Sequence, residues 1–124
     1  MRRLLVVDDD VGLAKIYARI GTEEGFDVRV VNDPLQATDV FLTFKPDVVI
    51  VDVIMPEKDG IDVLNEFLLI GGETRFIVLS AHGAGALRLA ESLGKFHGSD
   101  RLSVASKPIR RAALVALLRA KPVA

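Results

Sequence analysis

The chain has 124 residues, 50% of them hydrophobic, with ten Gly and five Pro, which is enough for one compact domain and too little for two ordinary ones. Its 16 basic and 17 acidic residues cancel to a formal charge of -1, leaving no net electrostatic pull toward nucleic acid or an anionic membrane. The absence of Cys excludes disulfide frameworks, thiolate metal sites and cysteine nucleophiles, and the two His leave little for zinc.

The first apolar run, Leu4 to Val7, follows Arg2 and Arg3 and is followed at once by Asp8, Asp9 and Asp10. No signal-peptide hydrophobic region ends in this way, so the chain reads as cytoplasmic. Asp10 is placed to cap a helix over Val11 to Glu24, with Leu13, Ile16, Tyr17 and Ile20 on one side and Gly25 as its stop. A second strand, Val28 to Val31, ends at Asn32. Asp33 and Pro34 then give an N-cap and a proline at the first position of a second helix, whose inner face carries Ala37, Val40, Phe41 and Phe44 and which Pro46 closes. The third strand, Val48 to Val51, runs into Asp52. Asp59-Gly60 forms a turn and cap for a third helix from about Gly60 to Leu69, with Gly71 and Gly72 behind it. The fourth strand, Phe76 to Leu79, ends at Ser80. The segment Gly94 to Ser103 reads as a long, polar link between the fourth helix and a fifth strand, Leu102 to Ala105, which precedes Lys107. The last helix carries Leu114, Leu117 and Leu118. The longest unbroken apolar run, Ala112 to Leu118, falls well short of the ~20 residues that span a bilayer.

Each strand run is apolar at consecutive positions, the pattern of strands covered on both faces. Such strands alternating with helices pair in parallel through right-handed crossovers, giving an α/β fold of one five-stranded parallel sheet and a single domain over residues 1–124. Ligands in these folds sit outside the carboxyl ends of the strands, where strand order reverses. The residues at those ends are Asp8 to Asp10, Asn32, Asp52, Ser80 and Lys107. Carboxylates gathered at one rim repel one another and call for a cation or a proton. Oxygen donors without soft ligands suggest Mg²⁺. The Lys107 ammonium can neutralise charge on a transferred phosphoryl group and the Ser80 hydroxyl can donate to one of its oxygens, which leaves a carboxylate as nucleophile.

Val7-Asp8-Asp9, Asp52 followed by Met55-Pro56 and Asp59-Gly60, Ser80-Ala81 and Lys107-Pro108 together resemble the receiver domain of bacterial two-component response regulators. The resemblance covers nearly the whole chain. It implies a flavodoxin-like, doubly wound (βα)5 fold with strand order 2-1-3-4-5. It also implies that Asp52 takes a phosphoryl group from a phosphohistidine on a sensor histidine kinase or phosphotransfer protein, forming an acyl phosphate. Asp9, Asp52 and the main-chain carbonyl of Ile54 would hold Mg²⁺ directly, and Asp8 would act through a coordinated water. Lys107 would contact a phosphoryl oxygen, Ser80 would move toward it as the switch, and the Lys107-Pro108 bond would be cis, as X-Pro bonds can be. By this resemblance the protein is a signalling domain and not an enzyme in the ordinary sense, since it catalyses only its own phosphorylation and slow hydrolysis. Phosphorylation would shift it between two conformations that a downstream target reads on the face of the fourth helix, fifth strand and fifth helix. Arg88, Glu91, Lys95, Arg110 and Arg111 are candidate contacts there, a homodimer is one form they could take, and no direct contact with nucleic acid or membrane is expected.

The chain departs from the family pattern at Val104, three residues before the lysine, where an aromatic is common. Ile54 and His82 stand two residues after Asp52 and Ser80, positions that in similar domains bias the attack of water. The apolar Ile54 is expected to lengthen the phosphorylated lifetime. Two other readings fit parts of the sequence. Leu4 to Val7 followed by Asp8-Asp9-Asp10 looks like the strand and Asp-x-Asp pair of a haloacid-dehalogenase-type phosphatase, although Gly12 stands where that family has Thr or Val. An interaction module that signals without phosphate would instead leave the acidic cluster, Ser80 and Lys107 idle.

Overall fold

The computed structural model of the chain describes residues 1–52, 60–70, 72–80, 84–97 and 101–120, with only the backbone at 84, 86, 87, 89 and 96. Strands and helices alternate along it: β1 (Arg3–Val7), α1 (Val11–Glu23), β2 (Asp27–Val31), α2 (Ala37–Phe44), β3 (Val48–Asp52), α3 (Gly60–Ile70), β4 (Arg75–Ser80), α4 (Ala84–Phe96), β5 (Leu102–Ser106) and α5 (Arg111–Arg119). The strands form one parallel sheet in the order β2-β1-β3-β4-β5. From β1 the chain moves outward to β2, then returns past β1 and proceeds the other way. The order therefore reverses between β1 and β3, whose carboxyl ends carry Asp8 and Asp52.

Side chains alternate across the sheet and build a core on each face. Leu5, Val7, Val49 and Val51 point toward α2, α3 and α4, where Phe41, Phe67 and Phe76 gather. The Phe41 and Phe67 rings stack with centroids 4.3 Å apart. Leu4, Val6, Val48 and Ile50 point the other way, onto Ala14, Tyr17 and Ile20 of α1 and Leu114 and Leu118 of α5. Ion pairs of Arg111 with Glu23 and Arg119 with Glu24 tie α5 to α1.

The predicted double cover holds for β1, β3 and β4 but not for the outer strands. Val30 of β2 is exposed, and β5 is half-buried from Leu102 to Ala105. Helices lie over the middle of the sheet, so a strand with one neighbour keeps part of its surface in water whatever its sequence. Ile16 likewise departs from the expected inner face of α1: it is 53% exposed, because Leu13, Tyr17 and Ile20 follow the seam spacing of i, i+4 and i+7, which leaves Ile16 on the flank.

The end signals act as expected with small shifts. The Asp10 carboxylate accepts the Leu13 N–H at 3.1 Å, α1 ends at Glu23, and Gly25 takes φ +90°. Asp33 caps a 3-10 turn, Pro34–Gln36, that leads into α2, and Lys45 adopts a left-handed φ of 53° just before Pro46. The long link predicted from Gly94 to Ser103 is corrected. Helical bonding continues through Phe96, His97 N–H donates to the Leu93 carbonyl at 3.0 Å, and β5 has begun by Leu102. The His97 ring and the Asn65 side chain share a hydrogen bond of 2.8 Å that fastens the end of α4 to α3. The Lys107-Pro108 bond is cis. Among the described residues no helix is long and apolar enough to cross a membrane.

Candidate functional site

The strand ladders run directly into the site and fix its main chain. Beyond β1, Asp8 N–H donates to the Val31 carbonyl at 3.1 Å, and beyond β5, Lys107 N–H donates to the Ser80 carbonyl at 2.9 Å. Asp52 and Ser80 are the last residues of β3 and β4. Adjacent strand ends thus present two carboxylates, a hydroxyl and an ammonium along one rim. The Asn32 side-chain amide donates to the Asp8 carbonyl at 2.9 Å, joining the end of β2 to the same rim.

From the edge strand, the Lys107 side chain crosses the end of β4 to reach the centre of the sheet. Its Nζ donates to Asp8 Oδ2 at 2.8 Å and to Asp52 Oδ2 at 3.1 Å. Asp8 and Ser80 are each 1% exposed and Asp52 is 8% exposed, while Asp9 is half-buried. Carboxylate oxygens of Asp8, Asp9 and Asp52 can all lie within 4.8 Å of one another.

Burial pushes the Asp8 carboxyl above its ordinary range. The Lys107 hydrogen bond and the Asp10 N–H, which donates to Asp8 Oδ1 at 2.9 Å, act against that shift. For Lys107 burial disfavours the charged form, but the hydrogen bonds to Asp8 and Asp52 prevail and hold the ammonium above its usual value. With all three carboxylates ionised, a single ammonium leaves two negative charges in a poorly solvated cluster. Oxygen-only donors carrying that residual charge fit a hard divalent cation and not zinc or copper.

The structure brings together Asp8, Asp9, Asp52 and Lys107, with Ser80 at the neighbouring strand end. Asp10 is turned away, its carboxylate exposed and occupied as the α1 cap. The Asp-x-Asp pair of a phosphatase, Asp8 with Asp10, is therefore not presented to one substrate. Ile54, named above as a carbonyl ligand, lies outside the described residues, as do Met55, Pro56, Asp59, Ala81 and His82. Val104 packs half-buried against the core under α2 to α4.

Tyr17 reads in the sequence as core alone, but it also borders the site. With Leu13, Ile16, Pro108, Ile109 and Lys107 it lines a cavity of about 360 Å³. Burial raises its phenol pKa; the Lys107 charge opposes this and the charges of Asp8, Asp52 and Asp10 add to it. The only sequence signal was a polar tip on the inner face of the helix that follows the aspartates.

Comparison with known proteins shows the family. The chain is 32% identical over 118 residues to "Response regulator MprA" of Mycobacterium sp. (strain KMS), covering 95% of this chain and 49% of that one. It therefore spans about half the length of that relative. Among solved structures, the receiver domain of Francisella response regulator 1452 superposes with a TM-score of 0.78 at 29% identity, covering 95% of this chain and 93% of that one. A Burkholderia pseudomallei response regulator, solved with a phosphorylated aspartic acid, calcium ion and citrate, shares the fold at TM-score 0.79 and 21% identity, over 96% of this chain and 67% of that one. The phosphatase reading is thereby set aside. Residues 4–119 match the response regulator receiver domain family, and the chain belongs to it.

Proposed function

We propose that the chain works as one receiver domain whose Asp52 is the phosphoacceptor of a two-component relay, with Asp8, Asp9 and Asp52 holding Mg²⁺ and Lys107 and Ser80 completing the site. The observation that carries this reading is the Lys107 ammonium held between Asp8 and Asp52 at the reversal point of the sheet. An Asp52 carboxylate oxygen attacks the phosphorus of a phosphohistidine. The new P–O bond forms as the P–N bond breaks, and the histidine nitrogen leaves with the bonding pair. Lys107 is placed to follow the charge from the carboxylate to a phosphoryl oxygen, and Ser80, one strand away, to donate to another. Bound Mg²⁺ would supply charge neutralisation on the phosphoryl oxygens, and the three carboxylates fit it by donor type and residual charge. The Burkholderia structure, with its phosphorylated aspartic acid and calcium ion, supports the same reading.

The phosphodonor is a sensor histidine kinase or phosphotransfer protein, and the output is a changed set of protein contacts on α4, β5 and α5. Arg88, Glu91, Lys95 and Arg110 are exposed on that face, while Arg111 is paired with Glu23. The test is incubation with acetyl phosphate, with Mg²⁺ or with a chelator, followed by intact mass. The expected result is one phosphoryl adduct that needs Mg²⁺ and is absent in Asp52→Asn. No adduct on wild type, with binding of its targets unchanged, would replace this reading with a phosphate-independent interaction module.

A further inference from the structure

At the other end of the sheet three of the five strands begin at or just after an arginine. Arg3 opens β1 directly after Arg2, Arg75 opens β4, and Arg101 precedes β5. Arg2, Arg75 and Arg101 line one cavity of about 310 Å³ together with Asp47, Glu73 and Thr74. The two carboxylates there are already engaged. Asp47 Oδ2 accepts the Arg3 N–H at 2.8 Å, and Glu73 lies 3.8 Å from the Arg101 guanidinium, which also donates to the Glu73 carbonyl at 2.6 Å.

Arg75 is held by neutral groups. Two of its guanidinium nitrogens donate to the carbonyls of Leu117 and Leu118 at the end of α5, at 3.2 and 3.3 Å, and its Nε is buried without a hydrogen-bond partner. These bonds fix the group in place, and among the described residues no carboxylate forms an ion pair with it. Burial first, and then the charge of Arg2, lowers the Arg75 pKa. The cleft holds three guanidinium groups against the two carboxylates of Asp47 and Glu73, and the excess positive charge is stabilised by an anion, as the carboxylate rim is stabilised by a cation. Forked guanidinium donors match the oxygens of a phosphate group bidentately.

We infer that this cleft is a binding site for the phosphate group of a small ligand, separate from the acidic rim at the opposite end of the sheet. The phosphate could be free or could be one end of a larger molecule. An adjoining cavity of about 240 Å³, which includes Leu42 and Ile70, shares Pro46 and Thr74 with the cleft and offers an apolar extension.

The experiment is an NMR amide-shift titration of the full chain in a chelator, with sodium phosphate in one arm and phenyl phosphate in the other, against chloride at equal ionic strength. Saturable shifts are expected at Asp47, Thr74, Arg75 and Arg101. Affinity should fall about tenfold or more in Arg101→Ala, the scale of one charge-assisted hydrogen bond. Arg2→Ala, at an exposed position, gives a second variant should the first disturb folding. Tighter binding of phenyl phosphate, with shifts reaching Leu42 and Ile70, assigns the phosphate to a larger molecule; equal affinity assigns the site to free phosphate. Shifts that chloride reproduces, or that survive both substitutions, overturn the site.

Discussion

Lys107 and Asp8 are 99 positions apart in the chain and 2.8 Å apart in space, the ammonium of one against the carboxylate of the other, with both side chains below a tenth exposed. The contact joins the edge strand β5 to the central strand β1 across two others. Removing one member of a buried ion pair costs more than the pair contributes, because the remaining charge stays buried.

Lys107→Ala is therefore expected to lose about 3–5 kcal/mol of stability at neutral pH, read as a lower urea midpoint. The loss should shrink as pH falls and the Asp8 carboxyl protonates, since its raised folded pKa contributes stability at low pH that disappears as pH rises through it. Added Mg²⁺ should recover more stability in the variant than in wild type. Equal midpoints for the two proteins would show that the contact contributes nothing.

At the alkaline end two groups act together. The Tyr17 phenol lies above its usual 10.0, through burial first, and the Lys107 ammonium lies above its usual 10.5 as its bonds to Asp8 and Asp52 outweigh burial. The fold thus favours the protonated form of both. The stability they contribute is complete below those ordinary values and is lost as pH rises through the folded ones. The chain has one Tyr, so phenolate absorbance reports Tyr17 alone. It should appear at higher pH in buffer than in denaturing urea, and coincident titrations would contradict the assigned environment.

Phe67, fully buried and stacked on Phe41, anchors the core beneath α3. Phe67→Ala should cost about 3–5 kcal/mol, the usual price of a large aromatic truncated in a core. Urea unfolding measures it directly.

Two glycines should respond oppositely to the same change. A Cβ at Gly21 would collide with the Leu4 side chain and press on Val28 Cγ2 at 3.2 Å, whereas at Gly85 it would meet nothing within 4 Å. Gly21→Ala is expected to destabilise by roughly 1–3 kcal/mol through overpacking, and Gly85→Ala, in the first turn of α4, to stabilise by less than the roughly 0.5–1 kcal/mol of a helix-interior site. Thermal melts of the two variants would separate these effects.

Much of this was legible along the chain, for identifiable reasons. Unbroken apolar runs such as Val48 to Val51 mark central strands because only burial on both faces tolerates them. Strand ends carrying Asp8, Asp52, Ser80 and Lys107 mark the rim because a parallel sheet sets all those ends on one side. The resemblance implied the order 2-1-3-4-5, which puts β2 and β5 at the edges as found, but their partial exposure was not legible in the runs themselves, since a run of valines does not state how many neighbours it has. Neither was the reach of α4 past Gly94, which helix bonding and the His97 contact decide. Net charge concealed the most: a total of -1 does not reveal aspartates at one end of the sheet and Arg2, Arg75 and Arg101 at the other.

The half-buried state of β5 has a consequence for motion. Edge elements with few buried contacts open more often than the centre of a domain, without global unfolding. Lys107 follows β5 directly, so each sub-global opening of that strand would draw the ammonium away from Asp8 and Asp52 while β1 and β3 stay folded. Hydrogen exchange at the β5 amides would then track the charge balance of the rim. An edge strand exposed to such opening is also the one that leads into the site's cation.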